Sequence, residues 1–193
     1  MAQCVINKIG KNSYSYLFLV IIIVGDTMYY YLNIFFINSF LGFLLETCLK
    51  TFLFHGMNNG ILFGPWIPVY GLGAVIITFV SHKIFRKLSI SKLWKTVLLF
   101  ITVFFLLSLL EWLGGILIEK LFHKVFWDYS DQKFHLGPYI SLGMSLIWSF
   151  ASLLFVYVIL PLENKIIKKI PKGLSISLFV LISIDFLFTF LLT

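Results

Sequence analysis

The stretch LWKTVLLFITVFFLLSLLEWLGGILIEKL, Leu93–Leu121, carries no charge between Lys95 and Glu111 and contains no proline. A helix needs about 20 predominantly apolar residues to cross the hydrocarbon core of a bilayer, and this run supplies them. Glu111 is the anomaly within it. A carboxylate at membrane depth costs on the order of 3 kcal/mol unless it is paired or protonated, so its default reading is a site rather than a lipid-facing surface. The rest of the chain repeats this chemistry, with 60% hydrophobic residues, 12% charged and a mean hydropathy of +1.00. A soluble domain of 193 residues cannot hide that much apolar surface. The expected fold class is therefore all-α, a polytopic integral membrane helix bundle.

Apolar runs predict five core transmembrane helices at about Met28–Phe54, Trp66–Phe85, Leu93–Leu121, Tyr139–Leu160 and Leu174–Thr193. Residues 14–24 are also apolar but short for a span, so residues 1–27 read as an interfacial or partly embedded extension, or as a sixth span, ahead of a transmembrane domain over 28–193. The formal charge of +7 does not point to nucleic acid, because the basic residues sit at the ends of apolar runs. Lys83, Arg86, Lys87, Lys92 and Lys95 occupy one connection with no acid, and four lysines face Glu163 in another. By the positive-inside rule both connections are cytoplasmic, as is the N-terminus with Lys8 and Lys11. The loops around 50–65 and 119–138 then face outward. Lysine outnumbers arginine 14 to 1, and a lysine-, isoleucine- and phenylalanine-rich chain suggests a bacterial cytoplasmic membrane.

Several chemistries find no support in the residue pattern. Cys4 and Cys48 form no disulfide framework, His55, His123 and His135 match no zinc spacing, and no metal or other cofactor is expected. No Walker A pattern is present, so any use of ATP needs a separate ATPase subunit or another membrane partner. No nucleophile–base pair is visible either, which leans against an enzyme.

What remains is a set of polar residues at apolar depth. Asn38, Gly42, Glu46 and Lys50 follow one another at i+4 and make a single helix ridge, and Glu111, Gly115 and Glu119 repeat the device. Gly42 and Gly115 allow close helix approach, while Glu46 could equally pair with Lys50 one turn on. Gly64-Pro65-Trp66-Ile67-Pro68-Val69-Tyr70-Gly71 cannot be a regular helix, since two prolines remove donors and the glycines favour turns. It reads as a re-entrant entry to the second helix or as an interfacial loop with Trp66 and Tyr70 in the aromatic belt. Trp127-Asp128-Tyr129-Ser130 is a second such segment, where Asp128 either does chemistry or holds a turn. Ser141, Ser145 and Ser149 read as packing residues, and Asp185 in the last span is a third costly carboxylate.

Across Tyr30–Pro161 these motifs resemble the CmpB-like, type IV ABC-transporter permease family. The residues that carry the likeness are Asn38–Thr47, Gly64-Pro65 with Pro68-Val69-Tyr70-Gly71, Leu110-Glu111-Trp112, Glu119–Phe122 and Trp127–Ser130. Asn59 and Ile67 stand where that family usually has arginine and cysteine. The resemblance implies a permease component of a transporter. Glu46 and Glu111 would then line an outward-facing site, with Tyr70 and the Gly64–Gly71 segment at its mouth and Trp127, Asp128 and Tyr129 closing over it. The alternatives are an intramembrane enzyme on a lipid-linked substrate and a non-catalytic membrane assembly factor.

Overall fold

The computed structural model describes residues 13–49, 62–123, 125 and 127–192. The described chain is almost entirely helical: α1 (Ser13–Leu49), α2 (Pro68–Lys87), α3 (Lys92–Phe122), α4 (Leu142–Leu154), one π turn (Phe155–Ile159), α5 (Leu160–Ile167) and α6 (Lys172–Leu192). A two-residue antiparallel hairpin, β1 (His135–Leu136) and β2 (Ile140–Ser141), stands between α3 and α4. Five helical stretches are long and apolar enough to cross a membrane, with α4, the π turn and α5 acting together as one of them. This is the all-α membrane bundle expected from the apolar runs.

Some boundaries move, each for a physical reason. α1 contains no proline and runs without a turn through residues 13–27 into the first span. At 1.5 Å per residue its 37 residues reach about 55 Å, well beyond a hydrocarbon core of about 30 Å. α2 starts at Pro68, where a missing N–H leaves no helical bond unmade. Tyr139, expected at the start of a span, belongs to the hairpin, and Ser141 caps α4 by accepting from Met144 N at 3.2 Å. That span continues past the expected Leu160 because the π turn precedes Pro161: Leu160 N bonds to Phe155 O, and the wider turn accommodates a ring that would clash with the carbonyl four residues back. The N-terminal residues through Asn12, with Cys4, Lys8 and Lys11, and the segment 50–61, with Lys50, His55 and Asn59, lie outside the described residues.

The burial pattern is that of a membrane bundle. Phe105, Leu117 and Phe179 are more than half exposed, whereas Thr78, Ser145, Ser149, Ser152 and Ser175 are fully buried. Small polar residues let helices approach and return their hydroxyl protons to backbone carbonyls, as Thr78 does to Ala74 at 2.7 Å and Ser149 to Ser145 at 2.8 Å. Packing divides the chain into two units, Met1–Pro68 with Ile167–Thr193, and Val69–Ile166. In the first, α1 and α6 run parallel. Lys172 Nζ, at the start of α6, meets Asp26 Oδ1 within α1 at 2.6 Å, Ser175 donates to Asn33 at 2.9 Å, and Phe36, Leu62 and Ile182 form a core further along. In the second, α3 lies antiparallel to the α4–α5 span. Their pairs are Thr96 with Tyr157, Phe100 with Phe150, and Ser108 with Ser145 at 2.6 Å. α2 is parallel to α4–α5, through Tyr70 with Trp148 near one end and Phe85 with Tyr157 near the other.

Candidate functional site

Glu111 anchors the second unit. It lies on α3 at the end away from Lys92, and its Oε1 accepts from Trp148 Nε1 at 2.8 Å and from Tyr129 Oη at 3.3 Å. Oε2 is buried and has no hydrogen-bond partner among the described residues. Tyr70 meets Trp148 edge-on, with centroids 5.6 Å apart and ring planes at 71°. The carboxylate is thus held by neutral donors on one oxygen, inside a layer of three aromatic rings.

The loop that delivers Tyr129 is itself fastened to α3. Tyr129 N bonds to Pro138 O at 2.7 Å, Leu142 N to Phe134 O at 3.0 Å, and Ser141 Oγ to Gln132 Oε1 at 2.6 Å. Phe134 and Gly137 have φ of 57° and 63°, the left-handed backbone that the tight hairpin needs. Tyr139 is buried against α3, where its hydroxyl donates to Glu119 Oε2 at 2.6 Å. That hydrogen bond holds the phenol proton, burial and the charge of Glu119 add to it, and the phenol pKa is pushed up to about 12. Gly115 is what admits the ring: a Cβ there would fall 2.3 Å from Tyr139 Cδ1. Trp127 packs at right angles on Tyr139, with centroids 6.2 Å apart, and its Nε1 donates to Tyr139 O at 3.4 Å.

Asp128 does not take part in this cluster through its hydrogen bond. Its Oδ1 accepts from Ser130 N at 2.8 Å, closing a local turn. Hydrogen bonding from the Ser130 side chain and then from its backbone holds the Asp128 carboxyl below the usual 3.8.

In the first unit the broken Gly64–Pro65 segment has an unexpected partner. Asp185 of α6 accepts from Phe63 N at 3.0 Å through Oδ1, and from Gly64 N at 2.8 Å and Trp66 Nε1 at 2.7 Å through Oδ2. Thr189 Oγ1 adds a longer bond of 3.4 Å. Ile67 N bonds to Ser39 O at 3.0 Å, and α1 continues from Ser39 to Leu49, about 15 Å further. The segment therefore runs alongside α1 to meet Asp185, and its free backbone donors are satisfied by a carboxylate. Gly64 also allows Trp66 to fold back, since a Cβ would lie 2.3 Å from the indole.

Glu46 is half-buried on α1, beyond buried Asn38 and Gly42 on the same face, and belongs to this first unit. Its expected pairing with Lys50 lies outside the described residues. Of the residues singled out from sequence, Glu111 and Tyr129 come into direct contact and Tyr70 joins them through Trp148. Trp127 lies over the adjoining Gly114–Gly115 face, with its ring 3.9 Å from where a Cβ on Gly114 would be. Trp148 itself went unremarked; the available signal was an indole N–H, which requires an acceptor when buried, on a helix otherwise marked by buried serines.

No curated protein and no solved structure matches the chain. Residues 33–193 match the model of the family described as "Putative ABC-transporter type IV", a span that takes in the Gly64–Gly71 segment, Glu111 and the Trp127 loop, and the chain belongs to that family.

Proposed function

We propose that this membrane protein is the permease component of a transporter and that Glu111 is the carboxylate of a solute site for cations, in the outer half of a bacterial cytoplasmic membrane. The observation that carries the reading is the state of that carboxylate: no basic side chain forms an ion pair with it among the described residues, and one buried oxygen is left over. A carboxylate needed only for packing would use both oxygens, as Asp185 does. The lysine asymmetry of alternate loops supports the outward assignment. The Trp127–Ser130 loop, fastened over α3 beside Glu111, is the natural cover, and Tyr70 and Tyr129 are lining residues. Glu46 is the candidate carboxylate of the other unit. With no phosphate-binding loop in this chain, a separate ATPase subunit would supply the energy.

Purification of the tagged protein with native lipids, followed by mass spectrometry, tests the permease reading: an ATPase subunit should co-purify in stoichiometric amount, and its repeated absence after gentle extraction would overturn it. Carbodiimide labelling tests the site, with Glu111 the expected modified residue and loss of labelling in Glu111→Gln. Failure of wild-type Glu111 to label would remove it as an exchangeable group.

A further inference from the structure

We infer that the cation accepted at Glu111 is an organic ammonium ion, seated between Glu111 Oε2 and the aromatic rings of Trp148, Tyr129 and Tyr70. This rests on the transporter reading above and narrows its substrate class. Three observations select it.

The first is charge. No basic side chain forms an ion pair with Glu111 among the described residues: on α3 Lys120 stands about 14 Å further along the helix, and Lys95, which donates to Phe85 O at 3.0 Å, about 24 Å back. The countercharge at the carboxylate must therefore come from a proton or a ligand.

The second is the division of labour between the oxygens. Trp148 Nε1 and Tyr129 Oη both act on Oε1, so the two donors orient the carboxylate and leave Oε2 as the acceptor for a further donor.

The third is the surroundings. Sodium, magnesium and calcium require several oxygen ligands around one point, and no group of three His, Cys, Asp or Glu side chains able to hold a metal occurs among the described residues. The layer holds aromatic rings instead, with Tyr70 at 71° to Trp148, and Trp127 and Tyr139 above them against the glycine face of α3. An ammonium ion with alkyl substituents has a diffuse charge and an apolar skirt. A buried carboxylate oxygen without a partner, beside aromatic side chains, matches both. A bare proton would satisfy Oε2 but would gain nothing from the rings.

The test is equilibrium binding of radiolabelled tetramethylammonium and methylammonium to the full-length protein in nanodiscs at constant ionic strength. Saturable binding is expected, with little competition from equimolar sodium or potassium. Glu111→Gln should abolish it, and Trp148→Leu should weaken it about tenfold or more through loss of a desolvated cation–π contact. Trp148→Phe keeps a ring but loses the Nε1 donor to Oε1, so it should bind better than Trp148→Leu and less well than wild type, and an unchanged size-exclusion profile in both variants guards against misfolding. Sodium or potassium binding that depends on Glu111 in place of ammonium binding overturns the inference and leaves the carboxylate site standing. So does carbodiimide labelling of Glu111 with no cation bound, which marks a proton site. Absence of both cation binding and labelling removes the inference and the site together.

Discussion

At the scale of single residues, two carboxylates that look alike in sequence behave as different devices. Glutamine at position 111 can still accept from Trp148 and Tyr129 through its carbonyl oxygen, but its amide cannot ionise and replaces the open oxygen with donors. Glu111→Gln should therefore reach the membrane folded and in near-normal amount, yet lose solute flux; size-exclusion chromatography and complementation of a deletion strain check the two halves. Asp128→Asn keeps the acceptor for Ser130 N, so retained flux and an unchanged melting midpoint are expected. Tyr139 adds a prediction in pH. Its pKa lies above the ordinary 10, at about 12, so its hydrogen bond to Glu119 contributes fully below pH 10 and is lost as pH rises through about 12. The alkaline absorbance difference between wild type and Tyr139→Phe should titrate near 12 and move back toward 10 in Glu119→Gln. A difference already titrating near 10 in wild type would remove this bond.

At the scale of elements, glycines and carboxylates fasten irregular segments to regular helices. Gly115→Ala places a methyl within the Tyr139 ring, which Glu119 and Trp127 hold from the other sides. Forced overpacking of this kind costs about 1–3 kcal/mol, and the hairpin rather than α3 should give way. Faster hydrogen exchange over residues 127–141 in the variant is the measurement, and unchanged protection there would refute it. The broken Gly64–Pro65 segment is more vulnerable still. Asparagine at 185 offers one acceptor oxygen where Asp185 serves Phe63 N, Gly64 N and Trp66 Nε1 with two, so at least one donor is left facing an amide N–H. A hydrogen bond to a charged acceptor is worth about 1.5–3 kcal/mol, so Asp185→Asn should melt below wild type, whereas Asp128→Asn should not. Much of this arrangement was legible beforehand, and the illegible part has a clear cause. The prolines and glycines of 64–71 announce a broken helix, and Glu111 and Asp185 announce polar sites, because lipid makes such residues costly. Their partners stayed hidden because Phe63 and Gly64 act through backbone N–H groups, which any residue except proline possesses, and because Trp148 is indistinguishable by composition from a lipid-facing aromatic. Asp128 reads from sequence as either a chemical group or a turn holder, and its carboxylate does close a turn, at Ser130 N.

At the scale of the whole molecule, the direction of each helix within its own unit bears on orientation in the membrane. Alternate crossing by five spans requires the first and last to run parallel, and Asp26–Lys172 with Asn33–Ser175 shows that α1 and α6 do. It also requires α3 to oppose its neighbours in sequence, and the pairs from Thr96–Tyr157 to Ser108–Ser145 show this for α4–α5. Those same pairs bring the start of α3, with Lys92 and Lys95, to the end of the unit where α5 finishes at Lys165 and Ile167. Basic residues gather at one end while the hairpin occupies the other. Each lysine or arginine near an anionic cytoplasmic leaflet gains about 1 kcal/mol, so Lys83, Arg86, Lys87 and Lys92 together favour one orientation by several kcal/mol. With Cys4 and Cys48 replaced, cysteines at Ser89 and Asn164 should be shielded from an impermeant thiol reagent in intact cells, and one at Lys133 should react. Labelling of Ser89→Cys with protection of Lys133→Cys would invert the topology and move Glu111 to the cytoplasmic half. The magnitude of the bias can be checked in the same experiment. Replacing Lys83, Arg86 and Lys87 by glutamine removes about 3 kcal/mol from it, so a fraction of chains should then expose Ser89→Cys. A charge-neutral control such as Thr96→Ser should leave Ser89→Cys fully protected. If the triple glutamine variant is as well protected as wild type, the lysines do not set the orientation, and it must come from the order in which the spans pack during insertion.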